Sequence, residues 1–71
     1  MDMNRDAKLT HREKQLVVLI CEDLSGKEIG QRLGITEATV DFHRSQIRRK
    51  LGVRGTAGIV RYALREGLIT P

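Results

Sequence analysis

The stretch KEIGQRLGITEATVDFHRSQIRRKLGV, Lys27 to Val53, leaves this chain little freedom in what it can fold into. Ile29 and Leu33 lie four residues apart, and Val40, Ile47 and Leu51 recur at helical spacing, so each run buries one face of a helix. Between the runs stands Gly34-Ile35-Thr36. A glycine just past the last apolar residue ends one helix through a positive φ, and Thr36 caps the amides that open the next. The product is two helices joined by a tight turn. Gly30, without a side chain, lets the two axes approach where they cross. The second helix of the pair, about Glu37 to Leu51, carries Arg44, Arg48, Arg49 and Lys50 and no acid after Asp41, so its outer side offers cations to a polyanion.

A chain of 71 residues is one small domain, able to bury only about 60% of the surface its unfolded form exposes. The single Cys21 has no partner for a disulfide or a zinc site, so helix packing, or a partner, must supply the stability. Inside an apolar run, Cys21 reads as a small core residue. Glu22 and Asp23 beside it would raise a thiol pKa, which opposes a reactive thiolate. No metal and no cofactor are expected, and no enzyme: the chain lacks paired carboxylates, a nucleophile beside a base, a phosphate-cradling loop and room for a pocket of about 300 Å³.

Charge is distributed unevenly. Met1 to Asp41 holds six Lys/Arg against eight Asp/Glu, a balance of −2, and Phe42 to Pro71 holds seven against one, a balance of +6, which together make the net +4. A basic half of this kind marks a nucleic-acid surface or a merely solvated face, and charge alone does not choose. The longest apolar run, Leu16 to Cys21, is too short to cross a bilayer, and the amino terminus lacks the features of a signal peptide. A cytoplasmic, nucleoid-associated location without membrane contact is expected. Residues 1–8 read as a disordered leader or linker remnant, and residues 9–69 as the domain, with residues 25–51 its centre.

Local chemistry punctuates the rest. Thr10 and Glu13 form a capping box that opens a helix from His11 to about Leu24, with Leu9 as its hydrophobic staple and Glu13 and Lys14 near its exposed start. Leu16, Val17, Leu19 and Ile20 give that helix its buried face. Ser25 and Glu28 repeat the box for a helix from Gly26 to Leu33. Lys27, in its first turn, does not help the helix dipole and either meets a phosphate or is simply solvated. Arg48, Arg49 and Lys50 also complement the negative end of the helix that Gly52 terminates. A last helix runs from near Thr56 to Arg65 or Glu66, with Ile59, Val60, Ala63 and Leu64 burying one side. Ala57 and Gly58 leave the other side smooth, either for a dimer contact or for close packing within the monomer. Leu68 and Ile69 fold back over the core. The fold expected is all-α, a compact four-helix bundle around a helix-turn-helix, unrelated to winged helices.

LTHREKQLVVLI, then SGKEIGQRLGITEATVDFHRSQIRRKLGV, then VRYALREGLI resembles the LuxR-type (GerE-type) DNA-binding domain of bacterial transcription regulators, from Leu9 to Ile69. The resemblance implies double-stranded DNA as partner, a third helix in the major groove, a homodimer formed through the last helix, and an upstream receiver or ligand-binding domain and RNA polymerase as further partners. By position it implies Thr39, Val40, Phe42, His43 and Gln46 toward the bases and Lys27, Arg44, Lys50 and Arg54 toward phosphates. Thr36 and Arg48 complete the DNA-binding set, and Thr56, Ala57, Val60, Arg61 and Leu64 the dimer set. The chemistry agrees: Gln46 can pair with an adenine edge, Phe42 can pack on a thymine methyl, and arginine takes either guanine or phosphate. His43 reads as a half-buried packing residue with a backbone contact, or as a base reader. Asp41 stands where the family often has lysine, and either pairs with Arg44 along the helix or accepts from a cytosine amino group. Phe42 stands where a smaller residue is common. Two alternatives remain at this level: a sigma-factor promoter-reading domain, which shares the opening but not His43 or the KLGV ending, and a protein-interaction module whose basic half docks on an acidic partner.

Overall fold

The computed structural model describes residues 9–71, so the leader assigned to residues 1–8 lies outside the described residues. Four helices follow one another: α1 (His11–Cys21), α2 (Gly26–Leu33), α3 (Glu37–Leu51) and α4 (Thr56–Arg65), with no strand among the described residues. Helix α2 packs mainly on α3, and α1 on α4, while α1 and α3 meet between the two pairs. Leu9, Leu16, Val17, Ile20, Ile29, Val40, Ile47, Ile59 and Ala63 form the core. Leu68 and Ile69 close it from the carboxyl end, their amides donating to the Ala63 carbonyl.

Three helix starts are capped as their sequences require. The Thr10 hydroxyl accepts from the Glu13 amide while the Glu13 carboxylate accepts from the Thr10 amide, and Ser25 and Glu28 repeat the exchange. Thr36 accepts from the Thr39 amide at 3.1 Å. Helix α4 starts from Gly55 without a side-chain cap.

The helix ends share one geometry. After α2, α3 and α4 a glycine sits at positive φ, and the amide beyond it reaches back five residues: Ile35 to the Gly30 carbonyl, Val53 to Arg48, Leu68 to Ala63. The end of α1 is made the same way by Asp23, whose φ is 65°, with the Asp23 amide on Ile20 and the Leu24 amide on Leu19. This is why α1 stops at Cys21 rather than Leu24: the left-handed residue turns the chain three positions earlier than the apolar pattern alone implies. Aspartate tolerates that conformation better than most residues, but at a cost glycine does not bear.

Gly30 has a sharper role than easing the crossing of two axes. A Cβ there would lie 2.6 Å from the Ile35 carbonyl oxygen, so the close approach is between α2 and the turn that leads into α3. Gly58 also lies inside, where a Cβ would fall 2.5 Å from the Cβ of Val53, which corrects the expectation of a smooth outer side at Gly58. Leu64, expected inside, is 41% exposed. The face of α4 is thus rotated: Gly58, Ile59 and Ala63 point in, and Ala57, Arg61 and Leu64 point out with Val60 half-buried beside them.

Two substitutions test these backbone assignments by urea unfolding. Gly30→Ala should lower stability by about 2 kcal/mol through overpacking against a carbonyl that cannot retreat. Asp23→Gly should raise it by up to about 1 kcal/mol by relieving a left-handed conformation.

Candidate nucleic-acid interface

Helix α3 is held by Val40 and Ile47, both fully buried, with Leu51 half-buried below them. Opposite this seam the exposed positions are Ala38, Phe42, Ser45 and Arg49, spaced four, three and four residues apart, so they form one outward stripe. Phe42, at 60% exposure, is its most prominent member. Thr39, His43 and Gln46 flank the stripe half-buried, the His43 ring meeting the Phe42 ring edge-on at 6.0 Å between centroids. That contact favours the packing role for His43. The Thr39 hydroxyl lies 2.9 Å from that of Thr36, which ties the first turn of the helix to its cap.

The residues expected to face bases therefore fall on one side of α3, with one exception. Val40 has no exposed surface and offers nothing to a groove, because it is the residue that anchors α3 to the core. Conversely Ala38 and Ser45 were not singled out, and Arg49 was named only among the cations of the outer side, although all three stand at the centre of the outward face. Their signal was present in the sequence as the positions diametrically opposite Val40 and Ile47 on the helical wheel.

The expected phosphate-facing residues divide into three groups. Lys27, in the first turn of α2, and Arg54, in the turn after α3, are exposed and free of any ion pair among the described residues. Arg44 and Arg48 are half-buried and line a cleft of about 190 Å³ with Asp23, Thr56 and Ile59, where α1 ends and α4 begins. Arg48 also donates to the Ser45 hydroxyl at 3.3 Å. Asp41 does not pair with Arg44: among the described residues no ion pair joins them, and both side chains instead reach the first turn of α2, where a Cβ on Gly26 would lie 3.6 Å from Arg44 Nη1 and 3.7 Å from Asp41 Oδ1.

Lys50 forms the third group alone. Its Nζ donates to Glu13 Oε1 at 2.8 Å, and Glu13, expected at an exposed start, is only 5% exposed. Burial by itself would push the Glu13 carboxyl up, but the hydrogen bond from Lys50, the Thr10 amide, the charge of Lys50 and the Thr10 hydroxyl together hold it below its ordinary value. Lys50 is thus first a tie between the end of α3 and the start of α1. Cys21, half-buried against the core, has its thiol pushed up by burial, in keeping with a packing role.

The fold and this face define a class, the helix-turn-helix nucleic-acid-binding domains: a short helix, a tight glycine turn and a longer helix whose outward side is uncovered and has no acid after Asp41. The chain belongs to the luxR family of bacterial regulatory proteins, whose family model matches residues 7–63. It is 47% identical over 62 residues to the transcriptional regulatory protein MctR of Rhizobium johnstonii, a match covering 87% of this chain and 29% of that protein. It is 37% identical over 65 residues to the uncharacterized response regulatory protein YgeK of Escherichia coli, covering 92% of this chain and 44% of that protein. To the oxygen regulatory protein NreC of Staphylococcus aureus it is 34% identical over 61 residues, covering 86% of this chain and 28% of that protein. The chain thus spans less than half the length of these relatives. No solved structure matches it.

The Glu13–Lys50 tie sets a pH dependence. A carboxyl held low in the folded state stabilises it at every pH above the unfolded value, near 4.5, and that contribution is lost as pH falls through the lower folded value. Glu13→Ala should cost about 2–3 kcal/mol at neutral pH, through the lost cap and the stranded Lys50. Across the acid range the variant should lose less stability than the parent, which denaturant titrations at neutral and acid pH would measure.

Proposed function

We propose that this chain places a bacterial transcription regulator on promoter DNA by laying α3 in the major groove. Phe42 and Gln46, with Thr39 and His43 beside them, face the bases. Lys27, Thr36, Arg49 and Arg54 meet the phosphates, and Arg44 and Arg48 contribute from the cleft side. The observation that carries this reading is the outward face of α3: an uncovered helix side with no acid after Asp41, in a domain that belongs to a family of bacterial regulatory proteins.

The exposed side of α4 supports a two-fold dimer on paired half-sites, with Thr56, Ala57, Val60, Arg61 and Leu64 as its contact and Leu64 as its apolar centre. Pairing two such domains adds their binding free energies less the cost of association, so regulation acts by controlling dimerisation. A receiver or ligand-binding domain upstream and RNA polymerase are the further partners of this reading. The work is cytoplasmic, on nucleoid DNA. No helix of the described residues is long and apolar enough to cross a membrane.

Selection from a random duplex pool tests the proposal directly, since it reports binding, motif and half-site spacing together. Enrichment of a two-fold motif is expected; enrichment of nothing, with binding to acidic proteins instead, refutes it. On the selected duplex, log affinity should fall linearly with log salt, by about 0.9 for each phosphate contact, and Arg54→Ala should reduce that slope by about 1. Asp41→Lys should raise affinity for both specific and random duplex and narrow the difference between them. Unchanged binding to both would remove Asp41 from the account.

A further inference from the structure

Among the described residues only Phe42 and Leu64 are large apolar side chains left exposed, and Leu64 lies on α4. Phe42 is therefore an isolated aromatic ring on a polar helix face. Its neighbours one turn away are Ala38, Thr39, Ser45 and Gln46, and Asp41 adjoins it; apart from the methyls of Ala38 and of the half-buried Thr39 none extends the apolar surface. A protein partner needs a contiguous apolar patch, and this ring does not have one. The His43 ring meets it from one side only, edge-on at an interplanar angle of 66°, which restricts the side chain without covering it.

We propose that Phe42 determines specificity by packing on the C5-methyl group of a thymine. This rests on the reading of α3 as the groove-entering helix. The position of Phe42, its neighbours and its chemistry converge on this contact. Phe42 lies in the second turn of α3, and the amino-terminal half of such a helix is the part that reaches base edges. Small side chains at Ala38 and Ser45, one turn to either side, leave the ring standing proud of the helix. The aromatic ring offers no hydrogen bond, so it cannot read the donor and acceptor pattern of the groove. The one apolar group that the major groove presents is the thymine methyl. Gln46, one turn further along the same side, is free to take a hydrogen-bonding edge nearby.

The test replaces, one at a time, each thymine of the selected duplex by deoxyuridine, which removes only the C5-methyl. The parent chain and Phe42→Ala are titrated against each duplex, with circular dichroism confirming that both are folded. The parent should bind one substituted duplex about fourfold more weakly than the thymine duplex, the size of one buried methyl, whereas Phe42→Ala should bind that pair equally. If every deoxyuridine duplex is bound as tightly as its parent, or the same loss persists in Phe42→Ala, or the preferred site contains no thymine, the inference is overturned while DNA binding stands. A chain that selects no sequence overturns both.

Discussion

The buried carboxylate of Glu13 is the point to which the rest of the domain is tied. It accepts from the amide of Thr10 at the entrance of α1 and from Lys50 at the last turn of α3, both at 2.8 Å. The carboxyl end of α3 is thereby fixed to the start of α1. The other end is fixed by the turn, where Gly30 admits the Ile35 carbonyl and Thr36 caps the first amides. Between these two attachments Val40 and Ile47 hold the middle. A helix restrained at three places keeps its outward side chains in a set register, and reading a sequence of bases requires that register.

So small a domain reaches this rigidity by closing helix ends rather than by enlarging its core. Every helix terminates in the same back-reaching amide, three helices carry a side-chain cap, and among the described residues no buried side-chain polar atom lacks a partner. Each closure contributes about 1 kcal/mol, a large share of the stability that a chain of this length can have. The exceptions are informative. Asp23 replaces glycine at the end of α1, and α4 starts without a cap, and both border the same cleft between α1 and α4.

Much of this was legible in the sequence because it is local. Capping boxes place an acid three residues after a hydroxyl, and the glycine after Leu33 and Leu51 marks a left-handed turn, so the helix starts and most of the ends follow from short windows. What was missed lies beyond such windows. Glu13 and Lys50 are 37 residues apart, and nothing in the spacing of either announces the other. Lys50 was expected among the phosphate contacts for that reason, and Glu13 at the surface. Val40 was assigned to the groove from the family's pattern although its own helical phase, shared with Ile47, puts it inside. The rotation of α4 escaped because Gly58 carries no hydropathy signal, and only the contact with Val53 shows which way it faces.

The two ends of α3 carry opposite charge, and that arrangement bears on how affinity and selectivity are divided. Glu37 and Asp41, one turn apart, both lie against Gly26, the first residue of α2, where backbone amides give a helix start its partial positive charge. A phosphate approaching that helix start meets two acidic side chains and the Arg44 guanidinium already there, so the charges largely offset one another. Toward the other end, Arg48 and Arg49 follow with no acid on the helix near them, and Lys50 is neutralised by Glu13. In the proposed complex, attraction to the duplex would be concentrated past the middle of α3, and its amino-terminal half would contribute little nonspecific affinity. There the proposed contact that remains is that of Phe42, which would depend on the bases. Because phosphate contacts strengthen every sequence equally, a base-reading half with little charge would lower total affinity and leave the difference between right and wrong sites to its base contacts.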